Sequence, residues 1–494
     1  MKKYITLLLL ALAFGFAGCE DFLTVIPDSS YSSTAGYKTQ ADFEQAIAAV
    51  YSQQQSLYNG NVNLLYMLTN RSDETNVLIT GNNVGYIGGI ERFTDDANNG
   101  THAGNYAAFY KIINRANFIL DKIDNVTFTD ANAKNYIKGE ALALRAYSYF
   151  NLGYMFGGVP LIRKVLTVNE TKEVPRSTQD ETFAAVEEDY TQAISLLPAS
   201  WTGKNLGRVT KYAAMGMLGR LYMFQHQYAK AKTILGQVIS SGAYKLETDY
   251  KYCFNESHEN MGERMWEIQF MGGQLGEGQQ FTTGCLPEPY SGTIQPFKGF
   301  SSAPFVSADF TSAYEPGDLR KDISVVTNVT WGGVLDTKSY FIRKFHWADV
   351  NTPKVQNDWG VNLPLLRYTD VKLMFAEALN EEAYSATGDA FTYLNEVRSR
   401  AGLPALTAAT VPDKESFRNA IIKERRIEFA FEGLRWMDLI RWGVAKTVMN
   451  KFLSNPSQDG GTYQMKDNQV LFPIPFDELN RYQNDKILWQ NPGY

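Results

Sequence analysis

Residues Lys423–Gly443 read KERRIEFAFEGLRWMDLIRWG. The apolar residues Ile427, Ala430, Phe431, Leu434, Met437 and Ile440 recur at intervals of three and four, the spacing of one helix face. Charges of both signs lie between them. On a continuous helix Arg425 would meet Glu428, Glu432 would meet Arg435, and Asp438 would meet Arg441, with Trp436 and Trp442 covering the pairs. Arg425, Arg435 and Arg441 together invite reading as a clamp for an anionic ligand. Each has a carboxylate within helical reach, however, so the stretch reads as scaffold.

Outward from this stretch, helical patterns dominate. Gln40–Leu57, Tyr106–Ile123, Ala133–Phe156 and Thr178–Leu197 each carry apolar residues on one side. The last opens with Thr178 and Glu181 in a capping box and stops before Pro198. Val209–Gly242 carries Met215, Leu218, Gly219 and Tyr222, then Ala231 and Leu235, at the offsets of a tetratricopeptide helix pair. A looser copy lies at Met374, Ala378, Ala390 and Leu394. Between the two, from Tyr244 to Leu363, the periodicity fades and Gly, Pro, Ser and Thr rise. Only Arg264–Phe270 and Ser339–Phe345 look like strands there, and the remainder reads as long ordered loops. The sequence predicts a mostly α fold: a scaffold of tetratricopeptide-like helix pairs with a loop-rich module and a few short strands.

The N-terminus reads as a leader. Lys2 and Lys3 precede an apolar run, Ile5–Phe16, too short to span a bilayer permanently. It ends at Phe16-Ala17-Gly18-Cys19, small residues before a cysteine, which reads as a bacterial lipobox with Cys19 lipidated. We expect a signal peptide at 1–18, a tether at 19–39 and one globular body at 40–494, with the loop module at about 244–363 set into it. The two other cysteines, Cys253 and Cys285, read equally as a disulfide or as two free thiols.

Catalytic signatures are scarce. A net charge of −6 over 494 residues gives no basic footprint for nucleic acid. The four histidines are too scattered for metal-ligand spacing, and no metal or cofactor is expected. Gly272, Gly273, Gly276 and Gly278 follow a strand but lack the Lys-Ser/Thr of a phosphate loop, and read as a flexible connection. No Gly-x-Ser-x-Gly elbow occurs. The loops instead hold aromatics and amides: Tyr86, Arg92, Phe93, Asn98 and Asn99 early, and Tyr290, Phe297, Phe300, Trp331, Tyr340 and Trp347 later. Aromatic planes stack on the C–H face of a sugar ring, and neighbouring Asp, Asn and Arg satisfy its hydroxyls.

Four motifs in order, GEALALRAYSYFNLGYMFGGVPLI, LPLLRYTDVKLMFAEALNE with NEVRSRAGLP, the Lys423–Gly443 stretch, and LFPIPFDEL with the terminal QNPGY, closely resemble the SusD/RagB family of Bacteroidota nutrient-binding lipoproteins. Thr369 stands where Ala is commoner and Met437 where an aromatic is common. The resemblance implies a cell-surface lipoprotein on the outer membrane that binds oligosaccharide without catalysis. Its implied partner is a SusC-like TonB-dependent transporter; some members take peptides instead. It places binding residues in two variable regions, about Asn70–Asn99 and Gly272–Asn351. There Asp73 falls where similar proteins hold a hydrogen-bonding carboxylate. With it we select Tyr86, Arg92 and Asn98 from the first region, and Tyr290, Trp331 and Trp347 from the second. A surface hydrolase would instead need a converging carboxylate pair, and a pure scaffolding protein would leave the loops without a role.

Overall fold

The structure, a computed structural model, describes residues 37–60, 63–77, 86–286, 297, 299, 304–331, 334–347, 353–455 and 461–494. The first half runs α1 (Gln40–Ser56), α2 (Leu64–Asn70), β1 (Thr75–Val77), α3 (Ile87–Arg92), α4 (Gly100–Lys122), α5 (Ala131–Phe156), α6 (Val168–Thr171), α7 (Gln179–Leu196), α8 (Lys211–Phe224) and α9 (Tyr228–Ser240). The loop module supplies β2 (Arg264–Ile268), α10 (Phe281–Gly284), β3 (Pro304–Val306), α11 (Ala308–Ser312), α12 (Arg320–Ser324), β4 (Val325–Val326), β5 (Val329–Trp331), β6 (Val334–Asp336) and β7 (Phe341–Ile342). Then follow β8 (Leu363–Arg367), α13 (Tyr368–Glu382), α14 (Asp389–Arg400), α15 (Lys414–Glu428), α16 (Arg435–Arg441), α17 (Ala445–Leu453) and α18 (Phe476–Tyr482). Among the described residues no helix is long and apolar enough to cross a membrane.

The long helices pack in series: α1 on α4, α4 on α5, α5 on α7, α7 on α8, α8 on α9, α9 on α13, and α13 on α14 and α15. This is the mostly α scaffold of helix pairs that the sequence predicts. Thr178 and Glu181 form the expected capping box at the start of α7. Gly219 is glycine because α9 comes so close: a Cβ there would overlap the side chain of Leu235. A hydrophobic core runs from Phe43 on α1 to Leu488 near the C-terminus, with a smaller cluster between α13, α14 and α15 around Leu373, Leu394 and Phe417. Cys253 and Cys285 are buried free thiols. The Gly272–Gly278 segment, expected to be flexible, is clamped: Gly273 and Gln274 donate their N–H groups to Asp358 at 3.0 and 2.9 Å, and Met271 pairs with Glu277.

The Lys423–Gly443 stretch departs from the single helix its period suggests. It breaks after Glu428 and resumes at Arg435, with Phe431 and Gly433 in left-handed conformation (φ 63° and 74°). The break redirects the charges. Arg425 pairs with Asp370 and Asp438 at 2.6 and 2.9 Å rather than with Glu428. Glu432 pairs with Arg367 and Lys344 rather than with Arg435. Only Asp438 with Arg441 forms as expected, and Arg441 also grips Glu377 through two bonds. Glu428, fully buried, receives Arg320, Arg367 and Arg400. One carboxylate thus joins α12, β8 and α14 to the end of α15.

Burial raises the cost of each of these charges, so each must be matched. For Asp370, burial pushes the carboxyl up, but Arg425 and Arg220 outweigh it and hold it at about 2. A carboxyl lowered on folding adds stability that is full above the ordinary value near 3.8 and fades as pH falls towards 2. We therefore expect Asp370→Asn and Glu428→Gln each to lower unfolding free energy by about 3–5 kcal/mol at neutral pH, measured by urea denaturation. The Asp370→Asn deficit should shrink as pH falls from about 4 to 2. A loss under about 1 kcal/mol would show the network to be ornamental, as exposed pairs are.

Candidate ligand-binding face

The two loop regions singled out in the sequence meet in one sheet of order β1-β3-β7-β4, all antiparallel. Thr75 faces Val306, Phe305 faces Phe341, and Val325 faces Ile342. Side chains reinforce the seam. Ser307 donates its backbone N–H to the Glu74 carbonyl and its hydroxyl to that of Asp73, both at 2.8 Å. The helix break at Phe429–Leu434 is the socket for both regions. Phe431 donates its N–H to Glu74 from the first, while Lys344 from the second donates to the carbonyls of Glu428 and Ala430. A backbone interrupted inside a protein needs such partners for its freed groups.

Asp73 is part of this seam, which corrects its assignment as a ligand-facing carboxylate. It is 3% exposed, with both oxygens bound by Arg435 at 2.7 and 2.9 Å and one also by Arg426 at 2.8 Å. Burial alone would raise its pKa, but the two guanidiniums hold the carboxyl below the ordinary range. Its neighbour Glu74 is the opposite case. Burial first, and the Asp73 charge second, push its carboxyl up to about 8. The three arginines considered as an anion clamp are all occupied by protein carboxylates.

Tyr86 and Asn98 both lie at the start of α4. Asn99 caps that helix, accepting from the Thr101 N–H at 2.9 Å, and donates its amide to the Tyr86 carbonyl at 3.1 Å. The Tyr86 ring then lies over Gly100, where an added Cβ would sit 3.2 Å from a ring carbon. It remains 55% exposed. Asn98 is exposed, its N–H fixed on Asp96 at 2.8 Å. Beneath them Asp95 is buried between Arg71 at 2.6 Å and His102 at 2.7 Å. Arg71 in turn lies 3.8 Å from the centre of the Phe93 ring. The loop that presents Tyr86 and Asn98 is therefore tied down from below.

Arg92 is half-buried with its guanidinium 5.0 Å from the Tyr463 ring centre. Trp347 belongs to a different patch: its indole N–H donates to the Ile323 carbonyl at 3.2 Å, and Arg343 covers its ring at 4.2 Å. That ring holds a cation and is no open platform. Trp331 lies in the β5–β6 hairpin, its side chain outside the described set, and Tyr290 is also outside the described residues. Phe476, outside the two regions selected from the sequence, also reaches this face. Its N–H bonds the Ala97 carbonyl at 2.8 Å and its ring is 52% exposed at the head of α18, beside the Asn98 turn. A large apolar residue straight after Pro475, where a helix starts, was the available signal.

Comparison with known proteins agrees with this architecture. The SusD family model matches residues 250–494, and the model described as "Starch-binding associating with outer membrane" matches 21–223. The chain belongs to the SusD/RagB family. A SusD-like protein of Formosa agariphila is 26% identical over 514 residues, covering 95% of each chain. Surface glycan-binding protein A from Bacteroides fluxus superposes with a TM-score of 0.81 at 24% identity, over 92% of this chain and all of its own. A laminarin-binding SusD-like protein does so with a TM-score of 0.77 at 26% identity, over 93% of this chain and all of its own.

The raised carboxyl of Glu74 gives a pH signature. A carboxyl raised on folding contributes stability that is full below the ordinary value near 4.5 and is lost as pH rises through about 8. Glu74→Gln should therefore gain on the wild type steadily between pH 5 and 8 in denaturant melts. A gap that stays constant across that window would place the buried proton elsewhere.

Proposed function

We propose that this chain is a lipid-anchored protein of the outer face of the outer membrane that binds oligosaccharide or polysaccharide and passes it unaltered to a TonB-dependent transporter. The observation that carries the reading is the Tyr86–Asn98 face: an exposed ring and an exposed amide on a turn locked by Asn99 and Asp95. Such a surface binds by stacking and hydrogen bonding in a fixed geometry, and needs no reacting group. The starch-binding description of the matching family model and the laminarin-binding relative support a sugar as the cargo. Tyr290 and Trp331 stay in the proposal as aromatic members from the second region, whereas Asp73 leaves it. Cys19 would carry the lipid after removal of residues 1–18, with 19–39 as the tether and 40–494 as the body.

The test is calorimetric titration of the soluble protein beginning after Cys19 against plant, algal and bacterial polysaccharides and mixed peptides, with reducing ends assayed in the same samples. Saturable heat with a glycan and no released ends is expected. Tyr86→Ala should weaken that binding by about 1 kcal/mol, the scale of one ring contact, or roughly fivefold in Kd. Its melting temperature should stay at the wild-type value, because the ring is half in solvent. Heat with peptides alone would move the protein to peptide capture, and released ends would overturn the non-catalytic reading.

A further inference from the structure

A second concavity lies along α4, away from the sheet. It has a volume of about 370 Å³, within the range of small-ligand sites. Its floor is Tyr106 and Tyr110, one turn apart on α4, with ring centres 5.0 Å apart. Tyr110 is fixed by donating its hydroxyl to the Pro160 carbonyl at 2.8 Å. The half-buried ring of Tyr482 on α18 forms a wall. Polar groups stand around these rings: Asn114 and Lys111 on α4, Glu478 and Arg481 on α18. Ile113, Ile162, Leu166 and Val168 complete the lining, so stacking faces and hydrogen-bonding groups stand beside an aliphatic wall, a mixture that matches a sugar ring with its apolar C–H face and polar rim.

Helix α18 links the groove to the Tyr86–Asn98 face. α18 starts at that face, where Phe476 bonds Ala97, and runs along α4 to Tyr482. From Gly100, under the Tyr86 ring, to Tyr110 is ten helical residues, or roughly 15 Å. Phe476, with half its ring exposed, lies at the head of α18 between the two.

We infer that the α4–α18 groove is a second subsite for the same glycan, so that the ligand is a chain long enough to lie from Tyr86 past Phe476 to Tyr482. This rests on the glycan-binding reading and adds to it a length requirement and a direction. The polymer gains contacts that a disaccharide on the Tyr86 face cannot reach.

The experiment titrates wild type, Tyr86→Ala and the double variant Asn114→Ala/Tyr482→Ala with the disaccharide and the polymer of whichever glycan binds. Wild type should bind the polymer at least tenfold more tightly than the disaccharide. The double variant should lose most of that difference and bind the disaccharide as wild type does, whereas Tyr86→Ala should weaken both. Arg481→Ala, at an exposed position, serves as a second groove variant, and thermal melts verify that each variant folds. Equal affinity of wild type for short and long ligands, or a double variant with unchanged polymer affinity, would overturn the subsite while leaving the function reading in place. Disaccharide binding lost along with polymer binding in a folded double variant would also overturn it, by making the groove the primary site. A wild type that binds no glycan of any length would overturn the function reading, and this inference with it.

Discussion

The carboxylate of Glu428, fully buried and shared by Arg320, Arg367 and Arg400, is the interaction on which the rest of this structure depends. It sits where α15 ends. The chain must break there, because the following residues turn through two left-handed conformations before α16 begins. The break frees backbone groups inside the protein, and their partners come from far away in sequence: Glu74 from the first loop region and Lys344 from the second. A buried charge left without partners costs several kcal/mol, so this arrangement tolerates few alternatives. This charged joint couples the helical scaffold to the loop module.

That joint explains what the sequence revealed and what it hid. The helix pairs were legible because their signals are local: the Thr178–Glu181 cap, Gly219 against Leu235, and apolar residues at helical spacing. The Lys423–Gly443 stretch is scaffold, as its balanced charges suggest, but of its three expected pairings only Asp438 with Arg441 forms. Periodicity alone extends a helix through Phe429–Leu434, and only tertiary partners make the break favourable. Once the helix breaks, Arg425 and Glu432 find acids and bases on α13, β8 and the segment after β7 instead of one turn away.

The same reasoning sorts the candidate site. Tyr86 and Asn98, selected from the sequence for their chemistry in a turn-rich stretch, are both exposed and stay in the proposal. It misplaced Asp73, since a carboxylate beside Arg in sequence space says nothing about an arginine 362 positions away. Trp347 illustrates a different limit: aromatic character predicts a flat face, but whether a cation already covers that face is a fact of packing. Phe476 and Tyr482 went unnoticed because a short terminal helix has too few turns for periodicity to show. The proposed binding face is a stiff surface at the edge of a charged core whose groups are already paired with one another.

A crystal structure of the soluble protein with its bound glycan tests that division most directly. The account predicts a sugar ring against Tyr86 within reach of Asn98, and Glu428 still paired with its three arginines as in the free protein. A sugar seated instead on Arg425, Arg435 or Arg441, with their carboxylate partners displaced, would contradict it, because the charged joint would then be the site and not its support.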